Sequence, residues 1–388
     1  MTGPLRVAVA VDSFKGSLTS AEAGRAIARG ITERIADAQV TVVPMADGGE
    51  GTVDALCHLP GAVRGQSEGT DLRGRACTVP HVRIGDAVVV ESASLLGLPL
   101  LQAGPDGRPD PSSPWHATSY GLGLHLRALI EAHAPERLVV GLGGTGCTDG
   151  GAGLIVGLGG SITDAAGVPL HPEDGNPVAR GAAHWTPPDL GGVELVGLTD
   201  VSSPLLGRTG AARLFGPQKG ADAEVVEVLE RGMRLWSHAL GGRASSVPGA
   251  GAAGGLGAAL AALGAPLVPG ASWLLDACGP AVFAAVDLVI TGEGRIDSQT
   301  ALGKVPQTVA TTARRAGTPV VVALAGAIEP GVAVAGVDAL LSIHTQPRTL
   351  AEAMDPEVAR AALTSVAGQV AALTHAVRAQ RPSAADQS

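Results

Sequence analysis

The chain has 388 residues, a formal net charge of −9, 45% hydrophobic residues and 56 glycines. That length supports two or more domains with ample core, and the apolar content excludes a disordered chain. The acidic balance argues against a nucleic-acid surface, and no apolar run approaches the ~20 residues of a membrane span. Cys57, Cys77, Cys147 and Cys278 lie far apart without Cys-x-x-Cys spacing, so neither a zinc site nor a disulfide framework is suggested. The first residues, MTGPLRVAVAVDSFKGS, lack the basic region and long apolar segment of a signal peptide. The expectation is a cytoplasmic, reduced protein.

In chain order, residues 5–11 read as a buried strand that ends in Asp12-Ser13-Phe14-Lys15-Gly16-Ser17. Thr19 and Glu22 have capping-box spacing, and Ala23, Ile27, Ile31 and Ile35 recur at helical spacing. Residues 39–43 form a second strand, followed by Pro44-Met45-Ala46-Asp47-Gly48-Gly49-Glu50-Gly51 and a short helix. Strand, helix, strand, helix implies a right-handed βαβ unit and a parallel sheet, so Asp12, Lys15, Asp47 and Glu50 lie at one sheet edge. Residues 61–114 are β-rich, with a hairpin turn at Gly85-Asp86 and a Pro/Gly/Asp-rich loop over 103–114. Helix returns over 118–133, and the strand 138–141 runs into Gly141-Leu142-Gly143-Gly144-Thr145-Gly146-Cys147-Thr148-Asp149-Gly150-Gly151. A strand over 193–198 ends in Thr199-Asp200, and 221–240 and 251–263 read as helices. The strand 288–290 stops at Gly292, before a loop carrying Glu293, Arg295, Asp297, Ser298 and Gln299; Gly303-Lys304 then opens a helix. Strands over 319–324 and 338–343, one long helix over 349–379 and a disordered tail complete the chain.

The two chain ends share short apolar strands alternating with helices, whereas the middle is glycine-rich. The pattern is that of an α/β protein of two domains: a discontinuous Rossmann/flavodoxin-like parallel-sheet domain from residues 1–65 and 285–388, and an inserted mixed α/β domain over 66–284. Gly141-x-Gly143-x-x-Gly146 follows a strand and matches the dinucleotide fingerprint, which would imply an NAD-dependent oxidoreductase. The fingerprint must open a helix, and the residues after it are too glycine-rich for one. A Walker phosphate loop is absent, since valine follows Gly303-Lys304.

The loops do suit phosphate chemistry. Phosphoryl transfer needs backbone N–H groups and cations around phosphates, carboxylates for magnesium, and a base for the attacking hydroxyl. Glycine loops supply the N–H groups, and Lys15, Lys219, Arg295 and Lys304 supply charge. Asp12, Asp47, Asp149, Asp200, Glu293 and Asp297 each follow an expected strand. Any one of them alone is as well read as a helix cap, but acids repeated over so many loops are not.

These strings resemble the bacterial type I glycerate kinase family over nearly the whole chain. The matching pieces are Asp12 to Leu18, Pro44 to Thr52, Gly143-Gly144 with Asp149 to Gly153, Phe215-Gly216-Pro217-Gln218-Lys219-Gly220-Ala221, and Gly249 to Gly255. The most specific is Thr291-Gly292-Glu293-Gly294-Arg295-Ile296-Asp297-Ser298-Gln299-Thr300 with Gly303-Lys304-Val305-Pro306. The resemblance implies ATP- and Mg²⁺-dependent phosphorylation of D-glycerate, generally at the 2-hydroxyl, in a cleft between two α/β domains. On that reading Asp47 is the base, Lys15 and Arg295 hold the substrate carboxylate or the moving phosphoryl group, and Asp297 joins them. Gly143, Gly144 and Thr145 cradle nucleotide phosphates, with Gly48, Gly49, Lys219 and Lys304 in support, and Asp200 and Glu293 are the metal candidates. The chain departs from the family pattern at Leu122, Leu124, Thr148 and Ser203, where a hydroxyl, a carboxylate and two asparagines are usual. A kinase for another small hydroxy acid, or a catalytically silent binding protein, is therefore kept as an alternative. The oligomeric state stays open, a homodimer included.

Overall fold

The structure is a computed structural model and describes residues 3–102, 107–300 and 303–380. Part of the expected 103–114 loop and the tail lie outside them. Residue contacts divide the chain into two compact units, residues 1–47 with 271–388, and residues 48–270. The divisions fall at 47/48 and 270/271, where the sequence pattern puts them near 65 and 284. The short helix Thr52–Leu56 packs against the middle sheet and so counts with it.

The first unit opens with β1 (Arg6–Val11) and β2 (Gln39–Val42). The second holds β3 (Val63–Thr70), β4 (Ala76–Ile84), β5 (Ala87–Glu91), β6 (Arg137–Gly141), β7 (Ser161–Thr163), β8 (His184–Thr186), β9 (Glu194–Leu198) and β10 (Leu267–Val268). The chain returns to the first unit with β11 (Leu288–Ile296), β12 (Val320–Ile328) and β13 (Ala339–Ser342).

The first unit is a five-stranded, all-parallel sheet in the order β2-β1-β11-β12-β13. Renumbered within the unit, this is the flavodoxin-like order 2-1-3-4-5. β1 is buried at every residue after Arg6, as a strand covered on both faces must be. The helix Ser20–Arg34 starts at the Thr19/Glu22 capping box read from sequence and packs with the helix Pro356–Ala379. They meet through glycine. A side chain at Gly30 would run into the Thr364 carbonyl, and one at Gly368 would sit 2.8 Å from the Gly30 carbonyl oxygen.

Two expectations change here. β11 does not stop at Gly292 but continues to Ile296, because Glu293, Arg295 and Ile296 pair in register with Ala325, Ala327 and Ile328 of β12. The long helix expected over 349–379 is two, Leu350–Met354 and Pro356–Ala379. Proline disfavours helical backbone at the residue before it. Asp355 therefore adopts an extended conformation and caps the second helix, accepting from the amides of Glu357 (2.9 Å) and Val358 (3.0 Å).

The second unit carries a six-stranded sheet in the order β3-β4-β5-β6-β9-β10. β3, β4 and β5 are antiparallel, with the hairpin at Gly85-Asp86 where it was expected, and β5, β6, β9 and β10 are parallel. β7 and β8 pair separately. The helices expected over 118–133 and 221–240 run Tyr120–His133 and Ala223–Ala239. The segment Ala252–Ala262 is helical only after Gly255, since Ala253, Gly254 and Gly255 have positive φ. Among the described residues no helix is long and apolar enough to cross a membrane.

Gly30→Ala should destabilise the first unit by about 1–3 kcal/mol, the usual cost of overpacking. An unchanged urea midpoint would show that the two helices do not depend on that close approach.

Candidate active site

The parallel sheet of the first unit brings every carboxyl end to one edge, where ligands bind in such sheets. A cavity of about 710 Å³ lies there, lined by Asp12, Lys15, Glu293, Arg295, Asp297 and Lys304 together with residues from the ends of β12 and β13. Asp12 follows β1 and is nearly buried, at 6% exposure; its Oδ1 accepts from the Ser13 amide at 2.6 Å. Burial, and then the charge of Asp47, push the Asp12 carboxyl up to about 7. Asp47 is tied to the group by an ion pair, its Oδ2 lying 3.6 Å from Lys15 Nζ. Asp47 is the first influence holding the Lys15 ammonium above its usual range.

The two loops are fixed by a side chain the sequence did not flag. Ser20 Oγ donates to the Val11 carbonyl and accepts from the Met45 amide, both at 2.7 Å. One hydroxyl thus sets the spacing between the end of β1 and the segment that leads to Asp47.

Glu293 and Arg295 are strand residues, two apart on one face of β11. Glu293 is buried and accepts from Thr300 Oγ1 at 2.6 Å. Burial raises its pKa, while that bond and Lys304 oppose the rise. Arg295 is exposed and pairs with Asp297, Nε to Oδ2, at 3.7 Å. Lys304 occupies the N-cap of the helix Val305–Arg315, adding its charge to the positive end of the helix. His344 and Arg348, which no local motif marks, line the same cavity.

In the second unit Gly143, Gly144 and Thr145 follow β6 and Asp200 follows β9. The loop after β6 is held against the segment 48–51 by close backbone approach. A side chain at Gly141 would come within 2.5 Å of the Gly48 carbonyl oxygen, and one at Gly143 within 2.8 Å of Gly49 Cα. Gly144 has φ +62 and is exposed, and Gly143 is half-buried, so the open face of the loop is backbone. Thr145 is buried, and its hydroxyl has no partner among the described residues. No helix begins until Ala152, so Gly141-x-Gly143-x-x-Gly146 lacks the helix a dinucleotide fingerprint requires.

Lys219 is placed differently from what its sequence setting suggests. It is 3% exposed and its Nζ donates to the Cys147 carbonyl at 2.7 Å. Burial lowers its pKa, and the contact supports the glycine loop from within. Asp149 is fully buried and accepts from the Ser119 amide and hydroxyl, both at 2.7 Å, and from the amides of Gly151 and Gly153. It joins the loop to the start of the helix Tyr120–His133. Asp200 Oδ1 accepts from the Gly270 amide at 3.0 Å. Of the family departures, Leu122 belongs to the core of this unit, Leu124 is exposed, and Thr148 is buried, its hydroxyl without a partner among the described residues. Ser203 contributes its carbonyl to the Gly251 amide.

The structure therefore brings Lys15, Glu293, Arg295, Asp297 and Lys304 around one cavity, with Asp47 ion-paired to Lys15. It packs Gly48 and Gly49 beside Gly141 and Gly143.

Comparison with known proteins agrees with this chemistry. The profile of the Glycerate kinase family matches residues 7–375. A glycerate kinase of Halalkalibacterium halodurans is 36% identical over 373 residues, covering 90% of this chain and 93% of the relative. The glycerate 2-kinase of Escherichia coli is 36% identical over 372 residues, with the same coverage. A crystal structure assigned as glycerate kinase 2 of Salmonella typhimurium superposes with a TM-score of 0.80 at 35% identity, covering 97% of this chain and 100% of that one. With a matched profile from β1 into the last helix and relatives that align over nine-tenths of its length, the chain belongs to the glycerate kinase family of phosphotransferases.

Proposed function

We propose that the protein transfers the terminal phosphoryl group of ATP to the 2-hydroxyl of D-glycerate, giving 2-phosphoglycerate, as a magnesium-dependent cytoplasmic enzyme. The observation that carries this reading is the cavity of the first unit, where mutually repelling carboxylates sit among Lys15, Arg295 and Lys304. Such a mixture suits an anionic acceptor and a phosphoryl group in flight. The E. coli relative's name supports the 2-hydroxyl as the acceptor.

Asp47 takes or orients the proton of the attacking hydroxyl, and Lys15 holds Asp47 in place. Its buried neighbour Asp12, with a pKa near 7, lies in the range a general base needs. Arg295 and Lys15 bind the glycerate carboxylate or the moving phosphoryl group, and Asp297 orients Arg295 through their ion pair. Gly143 and Gly144 offer backbone amides to nucleotide phosphates, with Gly48 and Gly49 beside them. Among the described residues no three acidic or histidine side chains gather closely enough to hold a metal on their own, so Mg²⁺ would be held by one or two carboxylates together with phosphate oxygens. Glu293 and Asp200, each taken within its own unit, are the carboxylates that would offer Mg²⁺ a ligand, and the ion would neutralise phosphate charge.

The test is phosphoenolpyruvate formation from D-glycerate, ATP and Mg²⁺ with enolase added and phosphoglycerate mutase omitted. Signal without mutase is expected. Signal only with mutase would move the acceptor to the 3-hydroxyl, and none in either case would point to another hydroxy acid. Asp47→Asn should lower kcat by roughly 10²–10⁴-fold, the usual contribution of a general base; near-normal turnover would remove Asp47 from that role.

The pH dependence follows from Asp12. Its folded pKa of about 7 lies above the ordinary 3.8, so the folded state keeps a proton that the unfolded state has lost. The stabilisation this gives is present below about pH 4 and is lost as pH rises through about 7. Asp12→Asn should therefore raise the melting temperature, relative to wild type, more at pH 8 than at pH 5. An equal difference at both pH values would show that Asp12 is not buried as a shifted acid.

A further inference from the structure

Outside the residues discussed so far, the second unit buries a carboxylate at the point where its glycine segments meet. Glu91 is the last residue of β5 and pairs across the parallel ladder with Gly141. It is only 7% exposed. Its Oε1 accepts from the Val53 amide at 2.6 Å, and the Gly51 amide donates to the same carboxylate. The helix Thr52–Leu56 begins at Gly51, whose φ is +95 and which has no side chain to cap it. Glu91 supplies that cap from a strand 38 residues away in sequence.

The neighbours extend the connection. Ser92 donates to the Gly141 carbonyl with both its amide (3.0 Å) and its hydroxyl (2.7 Å). Thr52 Oγ1 donates to the Gly49 carbonyl at 2.7 Å. Gly48 and Gly49 then lie so close to Gly141 and Gly143 that no side chain fits between. Glycine segments have more backbone freedom to lose than any others, and amides stabilise an anion only when they are already aimed at it.

We infer that Glu91 is a positioning residue that fixes the 48–51 and 141–144 backbone segments as one preorganised cradle for nucleotide phosphates. The inference rests on the reading, given above, that these glycines receive the nucleotide. The location is costly for a carboxylate. Burial, with Asp54 and Glu50 adding to it, pushes Glu91 up to about 7 despite the two amides. That cost is set against the geometry the carboxylate imposes, two amides of the 51–53 segment held at the end of β5.

The test compares full-length Glu91→Gln, Gly143→Ala and wild type by melting temperature at pH 8 and by calorimetric titration with ATP and Mg²⁺. Glu91→Gln should fold, melt no lower than wild type, and bind ATP at least tenfold more weakly, with KM for glycerate within about twofold. A lowered melting temperature with ATP affinity within twofold of wild type would make Glu91 a structural cap and overturn the inference. Should the Gln variant not fold, Glu91→Asp, which keeps the charge one methylene shorter, is judged by the same ATP criterion. Gly143→Ala separates the two readings. If it weakens ATP while Glu91→Gln does not, the cradle stands and the positioning role falls. If neither variant changes ATP affinity, the cradle reading itself fails.

Discussion

The crowding of acids at one sheet edge, two of them buried, is the constraint on which the first unit turns. A parallel sheet directs the carboxyl end of every strand to one edge, and here that edge receives Asp12 from β1, Asp47 from the segment after β2 and Glu293 from β11. Burial raises the cost of ionising Asp12 most, and Asp47 and Glu293 add to it. Such an edge persists only if the backbone that presents the acids is held more firmly than they repel. The continuous apolar run of β1, the extended pairing of β11 with β12 and the two bonds of Ser20 Oγ supply that firmness. Lys15, Arg295 and Lys304 temper the charge without burying it, since Lys15 and Arg295 remain largely exposed.

The second unit meets a different constraint, the close approach of one backbone to another. Positions such as Gly141, Gly143 and Gly254 have carbonyl groups or main chain where a side chain would stand. At Gly141 and Gly143 glycine is needed for space, and at Gly254 the positive φ asks for it as well. The ionised groups of this unit serve that packing: Asp149 gathers amides around Ser119, and Lys219 holds the Cys147 carbonyl. A buried lysine bonded to a carbonyl is costly. It is sustained by the charge of Asp149, which acts on it through the same loop.

Much of this was legible because the determining signals are local. The Thr19/Glu22 box, the Gly85-Asp86 hairpin and the apolar runs of β1, β6 and β9 are each written within a few residues. The acid–base cluster from Glu293 to Lys304 was visible as chemistry, although Glu293 and Arg295 were read as loop. Gly292 and Gly294 imitate a break, and only pairing with β12 shows that the strand continues. The helix division at Asp355-Pro356 carried a readable signal, proline after a capping residue, that an otherwise continuous helical pattern hid. Glu91 and Lys219 were beyond local reading. An acid ending a strand and a lysine in a glycine turn show their roles only when Val53 and Cys147 are brought to them.

The two units thus treat charge in opposite ways. The first keeps ionisable side chains along a cavity. The second buries Lys219 and Asp149 against its own backbone and leaves neutral backbone open at Gly143 and Gly144. Phosphoryl transfer has both needs. The reacting oxygens require groups that accept protons and balance charge as it moves. The nucleotide's remaining phosphates require fixed dipoles that need not reorganise. A lysine free to bind phosphate in the glycine loop would add affinity, but it would also add a flexible side chain where a rigid surface is wanted. Burying Lys219 under the Cys147 carbonyl uses the cation to brace the glycine loop from within.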